Sequence, residues 1–160
     1  MITVYDAVDG KLIPRTSIGD LATAVWIDLF EPKEDEDKFI EKALGIEVPT
    51  RSEMREIEAS NRFYTENGAS YMTSIILHNS TQDLPMTSVV TFILFRNSLV
   101  TVRYAEPRAF PIYLARAAKG DVDCVTGPGV MIGLLEMLIE READLIERVQ
   151  DEVERLAPLV

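Results

Sequence analysis

Between Ile132 and Leu156, apolar side chains recur at alternating steps of three and four residues. The positions are Ile132, Leu135, Ile139, Ile146, Val149, Val153 and Leu156, and Glu142 is the one interruption. An α-helix turns once per 3.6 residues, so this spacing draws one apolar seam along one long helix. A seam sustained beyond about three heptads is the pattern of a helix that packs along another helix. The opposite surface is read as acidic, through Glu136, Glu140, Asp144, Glu147, Asp151 and Glu154. No later segment of the 160 residues offers a helical partner. Two arrangements stay open. Either the seam lies on the protein's own sheet, or it takes a helix from downstream sequence or another subunit, which its length favours.

Upstream, residues 1–8 and 11–15 read as two strands about an Asp9-Gly10 turn, and Val25-Trp26-Ile27-Asp28-Leu29 reads as a third. A charged helix is expected over residues 33–43, with Phe39, Ile40, Ala43 and Leu44 on its buried face and Gly45 ending it. Thr50 with Glu53 three residues on has capping-box spacing, which starts a second, short helix. β-branched and aromatic runs then begin at Phe63, Tyr71, Val89 and Leu99. Turn signals at Asn67-Gly68, Asp83-Leu84-Pro85 and Asn97-Ser98 separate them. Four strands with short links imply an antiparallel meander. Residues 108–119 form an amphipathic helix covering the sheet with Phe110, Ile112, Leu114 and Ala115, and Gly127-Pro128-Gly129 precedes the long helix. One structural domain is expected, an α/β core over residues 1–127 followed by the long helix over 128–160.

Sixteen basic and 27 acidic residues give a net charge of −11, which repels phosphate backbones and anionic lipid and argues against nucleic-acid binding. No apolar stretch reaches the roughly 20 residues of a spanning helix, and no secretory signal is present, so the chain is expected to be soluble and cytoplasmic. A single Cys124 excludes an intrachain disulfide, and a single His78 cannot supply a zinc site's imidazoles. Neighbouring Asp121 and Asp123 would raise the Cys124 pKa, against a nucleophilic role. There is no phosphate-binding loop and no serine elbow. No enzyme is expected, and no obligatory cofactor. Clustered carboxylates make weak binding of a hard divalent cation the most plausible chemistry.

The order and spacing of several segments resemble the N-terminal cytoplasmic domain of the CorA family of divalent-cation transporters, its zinc-transporting branch included. The resemblance covers nearly the whole chain. It runs through Val25-Trp26-Ile27-Asp28-Leu29, Leu44-Gly45-Ile46, residues 49–58, Ser60-Asn61-Arg62-Phe63-Tyr64, Tyr71-Met72, Val90-Thr91-Phe92-Ile93-Leu94, Leu99-Val100-Thr101-Val102-Arg103 and the helix from Leu134. It implies an α/β/α sandwich around a mixed, largely antiparallel sheet, in a homopentamer at the cytoplasmic face of the inner membrane. It also implies a stalk helix, two membrane spans and a Gly-Met-Asn signature, none of which is in these residues; contact with the membrane would come only through those spans.

The resemblance further implies regulatory cation sites between subunits, for Mg2+ or for Co2+, Ni2+ or Zn2+. Glu53 and Glu56 stand in the first matching region and Glu136 in the second, with a stalk acid as the third contributor. The alternative function is a soluble interaction module that docks a partner's helix through the seam.

Overall fold

The computed structural model describes residues 1–78 and 85–159. Seven strands form one sheet in the order β2-β1-β3-β7-β6-β5-β4. They are β1 Ile2–Val8, β2 Lys11–Pro14, β3 Trp26–Phe30, β4 Phe63–Glu66, β5 Ala69–His78, β6 Met86–Phe95 and β7 Ser98–Arg103. All neighbours pair antiparallel except β3 and β7, where Trp26 lies beside Leu99 and Phe30 beside Arg103. Four α-helices accompany it, α1 Glu34–Leu44, α2 Arg51–Glu56, α3 Ala109–Lys119 and α4 Gly127–Leu156, with short 3-10 turns at Leu21–Thr23, Ala59–Asn61 and Ala157–Leu159.

Strand side chains alternate between faces, so the sheet buries two cores. On one face Ile27, Leu29, Ile93 and Val102 pack with Ile40 of α1 and Met54 of α2. On the other, Trp26, Phe92 and Leu99 pack with Phe110 and Tyr113 of α3 and Leu134 of α4. This is the expected α/β/α sandwich, and its sheet is mixed and largely antiparallel. The four strands β4 to β7 form the expected meander.

Asp9 and Gly10 both have positive φ (51° and 74°), as do Asn67 and Gly68 (49° and 77°). These are the conformations a two-residue hairpin needs. The third hairpin differs by one residue from expectation. Phe95 pairs with Ser98, so the loop is Arg96-Asn97. Ser98 joins the ladder because its hydroxyl donates to the Ala24 carbonyl of the segment entering β3. The turn expected at Asp83-Leu84-Pro85 begins outside the described residues.

Both amphipathic faces are rotated from the apolar reading. In α1 only Ile40 is buried, with Asp37 and Leu44 half-buried beside it, while Phe39 and Ala43 are exposed. In α3 the buried side is Ala109, Phe110, Tyr113 and Ala117; Ile112 and Leu114 are half-buried and Ala115 is exposed. Tyr113 is accommodated because its hydroxyl donates to the Asp123 carbonyl at 3.2 Å.

Helix α4 starts inside the glycine-rich segment rather than after it. Thr126 caps it by accepting from Gly129 N at 3.1 Å. Gly127 and Gly133 are packing positions: an added Cβ would lie 2.4 Å from the Ser98 carbonyl carbon and 2.4 Å from the Tyr113 ring, respectively. The helix has two apolar sides. Val130, Leu134, Met137 and Leu138 enter the core. The seam faces away, with Ile132, Ile139, Ile146, Val149, Val153 and Leu156 each 50–66% exposed and Leu135 half-buried. The possibility that the seam lies on the sheet is thereby excluded.

Candidate functional site

The carboxylates expected to bind cations are distributed over both helical layers. In the first layer, α2 begins at Thr50, whose hydroxyl accepts from Glu53 N at 3.3 Å. The Glu53 carboxylate answers by accepting from Thr50 N at 2.8 Å and from the Thr50 hydroxyl at 2.9 Å. Glu53 is thus oriented by its own cap. Glu56 lies one turn later and is exposed. The two line an open cleft together with Glu41, Glu47, Met54 and Tyr64. Glu41 is held there by accepting from Val48 N at 3.0 Å. Tyr71 fixes the loop between α1 and α2, its hydroxyl accepting from Glu47 N and donating to Glu47 O, each at 3.0 Å. Tyr64 stacks on Tyr71 with ring centroids 4.6 Å apart.

Asp37 of α1 is the most perturbed acid. One of its oxygens is buried without a hydrogen-bond partner. Burial first, then the charges of Glu41 and Glu36, push its pKa up to about 6.

Glu136 lies on α4, in the opposite layer, and is exposed. The sheet separates it from α2, so Glu53, Glu56 and Glu136 do not converge within one chain. Among the described residues no three His, Cys, Asp or Glu side chains gather closely enough to hold a metal ion. What the arrangement offers is two acidic surfaces on opposite sides of one domain.

His78 is half-buried at the end of β5, across from Met86. Cys124 is buried, its thiol donating to Gly10 O at 3.4 Å. Burial raises its pKa, with Asp123 second, so the expected direction holds with a different leading cause.

The polar cluster that sequence reasoning missed lies between β3 and β7. Asp28 and Arg103 form a buried ion pair at 2.8 Å. Thr101 donates to Asp28 at 2.7 Å, and the Trp26 indole donates to Thr101 at 2.9 Å. The Arg103 guanidinium lies between the rings of Phe30 and Phe110, 4.4 and 4.6 Å from their centroids. An acid inside the apolar run Trp26-Ile27-Asp28-Leu29 and an arginine closing the run at Leu99 were the available signals, since a charge buried in a strand needs a partner.

A family model described as CorA-like Mg2+ transporter protein matches residues 22–160. The magnesium transport protein CorA of Escherichia coli K12 is 33% identical over 140 residues, which are 88% of this chain and 44% of that protein. The soluble domain of CorA from Methanocaldococcus jannaschii superposes with a TM-score of 0.73 at 16% identity, over 99% of this chain and 63% of that one. The cytoplasmic domain of ZntB from Vibrio parahaemolyticus gives 0.61 at 14% identity, over 94% and 63%. The chain therefore spans less than half the length of the curated CorA proteins it matches. No described helix is long and apolar enough to cross a membrane.

Proposed function

The chain belongs to the CorA family of Mg2+ transporter proteins, and from that premise we propose that it is the regulatory and assembly domain of a divalent-cation transporter. It would stand on the cytoplasmic face of the inner membrane, in a homopentamer whose other segments span the bilayer and conduct the ion. The observation that carries this reading is the uncovered seam of α4 in a chain that spans 44% of the E. coli protein's length. Six exposed apolar side chains in register along one helix are what a further helix of a longer protein would cover.

The proposed regulation is electrostatic. Glu53 and Glu56 stand on one layer and Glu136 on the other, so they could share a cation only where one copy meets the next. Crowded carboxylates at such a junction repel; a bound Mg2+, or Co2+, Ni2+ or Zn2+, neutralises them and holds the subunits together. Falling internal cation would release the ions, loosen the junction and shift the assembly toward an open pore.

The test is limited proteolysis of the full-length transporter across a Mg2+ titration. Glu53→Ala with Glu136→Ala should abolish cation-dependent protection; unchanged protection would remove these residues from the regulatory site. The exposed seam is also compatible with a second reading, a module that docks a partner's helix. Failure of the full-length protein to restore growth of a magnesium-transport-deficient host in low Mg2+ would favour that alternative.

A further inference from the structure

Helix α1 is held to the sheet by a single fully buried side chain, Ile40, whereas the equally long α3 buries Ala109, Phe110, Tyr113 and Ala117. One turn before Ile40, on the same face, stands Asp37. One Asp37 oxygen is enclosed without a hydrogen-bond partner, and among the described residues no other buried side-chain oxygen or nitrogen is left so. A carboxylate enclosed without a donor costs more than the neutral acid in the same place. The surrounding groups do not relieve it. On its own helix, Glu36 and Glu41 repel the charge. The Met1 amine attracts it but is bonded to Glu36 at 2.8 Å. From the segment after β7, Tyr104 lies close enough for the Asp37 charge to raise its phenol pKa, second to burial. Arg51, at the start of α2, lies over the Tyr104 ring, 5.2 Å from its centroid.

We infer that Asp37 is a proton-operated latch: the neutral acid seats α1 on the sheet, and the carboxylate unseats it. Burial, then Glu41 and Glu36, push Asp37 from the ordinary 3.8 up to about 6. A folded pKa above the unfolded one favours the seated helix at acid pH, and that contribution is lost as pH rises through about 6. What the latch moves is a wall of the α2 cleft. Glu41, one turn beyond Asp37, lines that cleft and accepts from Val48 N at 3.0 Å. Unseating α1 breaks that bond and withdraws Glu41, so the cleft is firm in acid and looser in base. The latch lies within one chain and stands apart from the cation reading above.

Amide hydrogen exchange of the 160-residue chain tests it, each rate divided by the chemical exchange rate at the same pH. From about pH 5 to about pH 7.5, the α1 amides and Val48 N should lose about tenfold in protection, less than the full shift would give because solvent reaches the group. Amides of β5, β6 and β7 should keep theirs. Asp37→Asn should hold α1 protected at both pH values. In the wild-type chain, the Asp37 carboxyl carbon followed by NMR should titrate near 6. Equal protection of wild-type α1 at both pH values, the same loss in Asp37→Asn, or a carboxyl midpoint at 3.8 overturns the inference. Protection lost across the whole sheet together with α1 overturns it too, since the event is then global unfolding and not the release of one helix.

Discussion

Asp28 and Arg103 are two residues whose exchange for neutral side chains should cost more singly than together. Their side chains are 4% and 5% exposed. Removing one partner leaves a buried charge uncompensated, so Asp28→Asn should lower unfolding stability in urea by about 3–5 kcal/mol. A double replacement with Arg103→Met should recover part of that loss, because no lone charge is left behind. Asp37 behaves in the opposite sense. Its folded pKa of about 6 lies above the ordinary 3.8, so between those values the folded chain holds more proton than the unfolded one. Its contribution therefore favours folding at acid pH and is lost as pH rises through about 6. Asp37→Asn should stabilise the chain at pH 7.5 by about 1 kcal/mol after allowance for solvent screening. Stability curves of the two proteins should converge near pH 4, and parallel curves would refute the assignment.

Among the elements, α2 depends most on a single cap. Thr50→Ala removes the acceptor for Glu53 N and the hydroxyl that donates to the Glu53 carboxylate, leaving that carboxylate only its bond from the residue 50 N–H, for a loss of about 1 kcal/mol in thermal or urea unfolding. Helix α4 divides into a half that packs and a half that waits. Gly133→Ala drives a methyl group into the Tyr113 ring and should cost about 1–3 kcal/mol. Ile146→Ser with Val153→Ser, on the exposed seam, should change the stability of the 160-residue chain by no more than about 0.5 kcal/mol. The same pair should destabilise the full-length protein clearly if a helix covers the seam there. Equal effects in both proteins would mean that the seam is covered in neither or in both.

At the scale of the whole molecule, the sheet places the candidate cation ligands on opposite layers. Millimolar Mg2+ should accordingly leave the melting temperature of dilute monomer unchanged, since among the described residues no three carboxylates gather closely enough to hold the ion; a distinct rise would reveal a site within the protomer. Much of the architecture was legible beforehand. Asp9-Gly10, Thr50 with Glu53 and Gly45 each act through hydrogen bonds and dihedral angles confined to a few residues, so they could be read in order along the chain. The length and register of the α4 seam were legible for the same reason. Which of that helix's two apolar sides would enter the core was not, because Val130, Leu134 and Leu138 are as apolar as Ile132 and Ile139. The rotated faces of α1 and α3 follow from polar members, Asp37 and Tyr113, that an apolar count passes over. The Asp28–Arg103 pair joins residues 75 apart in the chain, and the separation of Glu53 from Glu136 is a matter of layers. Local periodicity and capping chemistry belong to the sequence by itself. The choice of buried face, the pairing of distant charges and the sides on which carboxylates stand belong to tertiary structure, because only the paired and twisted sheet brings remote segments within interaction range.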